Sequence, residues 1–171
     1  MAATSVQTVL AWLHIFTAIG WMGTAMFVVM LMTPLMPRLS SAARGELILK
    51  LFPRLIRYVS IFAGLTLLLG VLLAFAHVEG RLDELSPSTP WGLRITIGAT
   101  LSLVALVLGP VSVSLTVRKI IRSVKQTQDS PQTTPPPELA RLQKRMRILA
   151  TTVLTLLTVI LALMVIAAGI E

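Results

Sequence analysis

Four long apolar stretches, separated by shorter polar segments, set the pattern of the chain: residues 6–36, 55–78, 93–117 and 148–170. Each has at least the roughly 20 residues that an α-helix needs to cross the hydrocarbon of a bilayer, at about 1.5 Å per residue. The pattern therefore predicts an all-α fold, an integral membrane four-helix bundle formed as a single domain over residues 1–171. Within each stretch, small and weakly polar residues return at helical spacing. On the first helix they share the face of His14: Leu10, Ala11, Thr17, Ala18, Trp21 and Ala25. On the second, Ala63, Thr66, Gly70 and Ala74 lead to His77. Gly98, Ser102, Ala105 and Gly109 mark the third, and Thr151, Thr155, Thr158 and Ala162 the fourth. Small residues let helix backbones approach in lipid, so these faces are the expected helix–helix contacts.

The connections differ in character. "PRLSSAARGELILKLFPRL" mixes charge with apolar residues and predicts a short interfacial helix between helices one and two, bounded by Pro37 and Pro53. Residues 126–138 have no apolar periodicity and contain three consecutive prolines, which predicts a flexible, solvated linker. Ahead of the first apolar stretch, "MAATSVQTVL" holds no Lys or Arg, which predicts a retained helix rather than a cleaved signal peptide.

Charge adds orientation. The first connection holds five basic residues: Arg38, Arg44, Lys50, Arg54 and Arg57. Eight more, Arg118, Lys119, Arg122, Lys125, Arg141, Lys144, Arg145 and Arg147, flank the linker between helices three and four. The remaining connection has only Arg81 and Arg94, offset by Glu79, Asp83 and Glu84. This bias predicts basic loops in the cytoplasm and both termini outside (N-out/C-out), in a multi-pass protein of the cell's inner (plasma) membrane. It accounts for the +8 balance through topology and anionic lipid, so no nucleic-acid partner is expected. The absence of cysteine excludes disulfides, iron–sulfur clusters and thiolate metal sites.

Against this background two imidazoles stand out. An ionisable group inside a membrane helix is costly and marks function by default, which singles out His14. His77 lies at the far end of the second stretch, in the same half of an antiparallel bundle. Bundle cores commonly hold cofactors between facing helices, so the pair is the expected metal site: His14 and His77 as axial ligands of a b-type haem. Ala18, Gly70, Ala74 and Gly98, with Trp21, would wall the slot, and Arg94 would pair with a propionate. The alternatives are an interfacial His77, a snorkelling Arg94, and packing as the sole use of the small faces. Met22, Met26 and Met30 at i, i+4, i+8 open a second metal reading, Cu(I) on soft thioethers, but they lie about 80° or more around the helix from His14 and equally suit packing. With no Asp or Glu inside the stretches and no base beside their hydroxyls, proton relays and hydrolase chemistry have nothing to use.

The first helix, "LAWLHIFTAIGWMGTAMFVVMLMTPLMPRLS", resembles that of the HemJ-type membrane protoporphyrinogen oxidases and the related CopD-like membrane family. The shared elements are His14, Trp21-Met22-Gly23 and Pro37-Arg38-Leu39. "LILKLFPRLIRYVSIFAGLTLLLGVLLA", with its late Gly70, and "PWGLRITIGATLSLVALVLG" resemble the second and third helices, so the likeness covers about the first 110 residues. It implies a small helical membrane protein that binds haem b through His14. Two departures stand against protoporphyrinogen oxidation itself: Arg94 occupies the place of a functional lysine, and "SSAAR" follows Pro-Arg-Leu instead of an aromatic-and-histidine element. An arginine cannot deprotonate as a lysine can. The resulting expectation is a membrane haem protein moving electrons, with a quinone or porphyrin as its small-molecule ligand, and with a second copy or a larger membrane complex as a protein partner. The CopD-like likeness keeps copper transport or resistance as the alternative, and a non-catalytic membrane subunit as a third.

Overall fold

The structure, a computed structural model, describes residues 5–128 and 137–169. Among these it is all-helical, with four helical spans long and apolar enough to cross a membrane: Ser5–Arg38, Ser41–Val78, Pro90–Arg122 and Lys144–Ala167. The linker expected over 126–138 falls mostly outside the described residues; the third span's helix continues to Gln128 and the fourth span's begins at Pro137.

Local signals fix the helix ends. The Ser40 side chain caps the second span by accepting from the Ala43 N–H. That span ends where Glu79 and Gly80 both adopt left-handed backbone, with φ of 47° and 89°. Thr89 caps the third span by accepting from Gly92 N–H at 2.9 Å, with Pro90 at the first helical position. Gly92 is required there, because a Cβ would run into the backbone oxygens of Ser86 and Glu84.

The expected short interfacial helix is not a separate element. Residues 41–54 are the opening turns of one 38-residue helix, Ser41–Val78, and Pro53 lies inside it. A mid-helix proline costs roughly 3 kcal/mol. Here Ile48 and Phe52 are buried against Met32, Val117, Ile120 and Leu142, which holds the helix together on the N-terminal side of Pro53.

The spans alternate in direction. Gln7 donates to the Ala76 carbonyl at 2.7 Å, while Met32, near the other end of the first span, packs with Ile48 and Phe52, so spans one and two run antiparallel. Spans three and four do likewise, from Arg94 beside Ile166 to Val117 and Ile120 beside Leu142. Spans one and four, and two and three, also touch, which closes a four-helix bundle. Its core is in two pieces. One gathers Trp21, Ala63, Ala105, Val153, Leu157 and Ile160 near the middle; the other, around Phe52, sits toward the basic end. Outside the core, Leu, Ile, Val and Phe residues of every span are exposed, as a lipid-facing surface requires.

Spans one and three each contain a widened π-turn, Phe27–Met32 and Val107–Val111. Each sits beside a proline, Pro34 after the first and Pro110 within the second, whose missing N–H cannot close an ordinary α-turn. A hydroxyl follows each turn and reaches back to the same carbonyl: Thr33 to Val28 at 2.8 Å, Ser112 to Val107 at 3.1 Å.

Candidate functional site

His14 reaches across to the second span. Its Nδ1 lies 2.9 Å from the carbonyl oxygen of Thr66. A carbonyl only accepts, so Nδ1 carries the proton, and in the neutral ring Nε2 keeps a free lone pair. Gly70 makes this approach feasible: a Cβ there would lie 2.9 Å from His14 Cε1 and 3.2 Å from Nδ1. The small residue expected to wall a porphyrin slot instead admits the imidazole itself.

His77 belongs to a different neighbourhood. It is exposed and stacks on Trp91, with ring centroids 4.7 Å apart and planes at 19°. It lies seven residues beyond Gly70, about 10 Å along the helix. The two imidazoles are therefore held by different partners, His14 by the second span and His77 by the start of the third. The expected facing pair is not assembled in this arrangement.

The remaining expected residues divide in the same way. Trp21 is 2% exposed and sits in the central core, and Ala18 and Ala74 are half-buried. Gly98 is buried against Met164, whose terminal methyl fills the place a Cβ would take. Arg94 Nη1 donates to the Ile166 carbonyl at 3.3 Å. It thus satisfies a carbonyl in the last turn of the fourth span. Glu84, a candidate partner for Arg94, pairs with Arg81. Met22 packs against the central core, whereas Met26 and Met30 are exposed, so the methionine stripe is not gathered around His14. Among the described residues, no group of three or more His, Asp or Glu side chains could hold a metal ion.

The expected contact face of the fourth span is turned around. Thr151, Thr155, Thr158 and Ala162 are exposed, and Ala150, Val153, Leu157 and Ile160 face the core. The Thr155 and Thr158 hydroxyls donate to carbonyls one turn back, at 3.1 and 2.9 Å. A hydroxyl satisfied within its own helix can face lipid, so threonine spacing does not identify the packed side.

The fit to haem is consequently uneven. The donor chemistry of His14 suits an iron ligand, because ligating imidazoles commonly anchor the other ring nitrogen on a backbone carbonyl. The space expected for the macrocycle between His14 and Gly70 is taken by the imidazole. The sequence reading passed over the Thr66 carbonyl, since every residue carries one and only the fold brings it to His14. No family model matches the chain, and neither does any curated protein or solved structure.

Proposed function

We propose that the chain is a membrane-embedded b-type haem protein that transfers electrons, with His14 as its iron ligand. The observation that carries this reading is the His14–Thr66 bond. It sets the tautomer, orients the ring and leaves Nε2 as a lone-pair donor on a helix built for lipid. A haem bound there would supply one-electron chemistry; the chain's part is to fix the imidazole and exclude water. A bis-histidine site would require His77 to leave Trp91 and approach His14 beyond Gly70. The His14 ligand is thus the centre of the proposal, and His77 its variable element.

The orientation belongs to the same proposal: basic connections in the cytoplasm, both termini outside, in the inner (plasma) membrane. The opening turns of the second span, which carry Arg44, Lys50 and Arg54, would lie at the headgroups. The lack of native cysteine makes this directly measurable. A membrane-impermeant maleimide applied to intact cells should label Ser88→Cys and spare Ser41→Cys; the reverse pattern inverts the topology.

The test of the haem reading is spectroscopic. Protein purified in detergent should show a Soret band and, after dithionite, sharp α and β bands. H14A should lose them. H77A should keep the Soret band if His14 alone holds the iron, and should convert a six-coordinate spectrum to a five-coordinate one if both ligate. Colourless wild-type protein that cannot be loaded with haem refutes the proposal. Colourless protein carrying stoichiometric copper would favour the copper alternative.

A further inference from the structure

The two pieces of the core do not meet. Between them lies an apolar crevice of about 550 Å³, open to one side, to which all four spans contribute, among them Trp21 and Ala25, Phe52 and Val59, Gly109 and Val153. That volume is within the range of small-molecule sites, roughly 300–1,000 Å³, and close-packed interiors seldom leave such space unused. Gly109 and Pro110, from the π-turn of the third span, line it, and the π-turn of the first span begins beside it, with Val28 on its wall. Widened turns of this kind recur at functional sites.

Two further features bear on the occupant. Trp21 lines the crevice while only 2% exposed, and its indole N–H meets no acceptor among the described residues. Buried indoles usually find an acceptor, so this wall offers an unmet donor. A shallow groove between spans one and two, lined by Gly20, Gly23 and Tyr58, shares Thr24 and Leu55 with the crevice. Gly23 keeps the groove clear, since a Cβ there would meet nothing within 4 Å. The groove faces the lipid side of the bundle, where Tyr58 and Phe27 are exposed. It therefore joins the interior space to the hydrocarbon of the membrane.

We infer that this crevice is a binding site for a lipid-soluble quinone-class molecule, which enters between spans one and two and sets a carbonyl oxygen within reach of the Trp21 N–H. A flat ring with acceptor oxygens and an apolar tail matches one donor in an otherwise apolar space; a plain hydrocarbon chain would leave the indole unmet. The choice of a redox-active carbonyl compound rests on the electron-transfer reading, whereas the occupancy itself does not.

The test uses the W12F/W91F protein in detergent, in which Trp21 is the one remaining fluorophore, titrated with decylbenzoquinone. Saturable quenching is expected, with decylbenzene, of equal tail and no carbonyl, failing to displace the quinone. A25L, which fills the crevice, and G23L, which obstructs the groove, should each raise the dissociation constant by about tenfold or more, or 1.4 kcal/mol. Circular dichroism checks that both variants retain their helices, and G23L is expected to do so because its side chain meets open space. Non-saturable quenching, unchanged affinity in both variants, or displacement by decylbenzene overturns the inference. Because the readout is Trp21 and not iron, failure here leaves the haem reading standing, and a missing Soret band leaves the quinone site standing.

Discussion

Adding a single methyl group to the second span offers the sharpest check on the His14 anchor. In G70A the new Cβ would start 2.9 Å from His14 Cε1. Ordinary carbon contacts lie near 3.5–4.0 Å, so the ring must retreat by about 0.6–1.1 Å. That retreat carries the 2.9 Å bond to Thr66 to the edge of hydrogen-bonding distance or past it. Losing the bond costs roughly 0.5–1.5 kcal/mol, and overpacking adds about 1–3 kcal/mol. Alanine returns about 1 kcal/mol of helix propensity over glycine, which leaves a net loss of about 0.5–3.5 kcal/mol. Gly64 is the internal control: it is exposed on the same helix and a Cβ there meets nothing within 4 Å, so G64A should be neutral or stabilising. The assay is unfolding in mixed micelles with increasing SDS, followed by far-UV circular dichroism. The cycle with H14A isolates the pair, since without the imidazole the methyl has nothing to displace and most of the G70A penalty should vanish. A G70A protein as stable as G64A, or an equal penalty in the H14A background, refutes the described contact.

Other substitutions probe separate features. G92A should destabilise by about 1–3 kcal/mol, because its Cβ meets backbone oxygens of Ser86 and Glu84 that cannot swing aside; the same SDS titration checks it, and wild-type stability would show that the loop does not close over the helix start. R94A should cost about 0.5–1.5 kcal/mol through the freed Ile166 carbonyl, with faster amide exchange in the last turn of the fourth span as its local signature. H77A should lose the ring stack on Trp91, worth about 0.5–1.5 kcal/mol, and shift the Trp91 fluorescence, while H77F retains stability; equal behaviour of the two variants would discount the stack.

Much of the architecture was legible in the sequence because lipid imposes a simple rule: long apolar runs become spans. The first run, read as residues 6–36, is the span Ser5–Arg38, and the third, read as 93–117, lies within Pro90–Arg122. The second was cut short at Pro53, since a local breaker is visible in sequence while the burial of Ile48 and Phe52 that outweighs it is not. Small-residue faces identified the packed sides of spans two and three, where Ala63, Thr66, Gly98, Ala105 and Gly109 are buried. The same rule failed on span four, whose threonines satisfy themselves. At the candidate site, periodicity placed His14 beside Gly70. It could not distinguish a glycine that makes room for a cofactor from one that makes room for the histidine, because the two differ only in where the ring comes to rest.

The paired π-turns constrain how this chain tolerates length changes. Each accommodates one residue more than a regular helix would, so deleting one residue at either turn lets that helix tighten and rotates everything beyond it by about 100° relative to what precedes it. In span three such a deletion would swing Val117 and Ile120 off the core and bring Arg118 or Lys119 round in their place. Lengthening or shortening the bundle is therefore quantised at these two points, while the helices on either side are free to change only in whole turns.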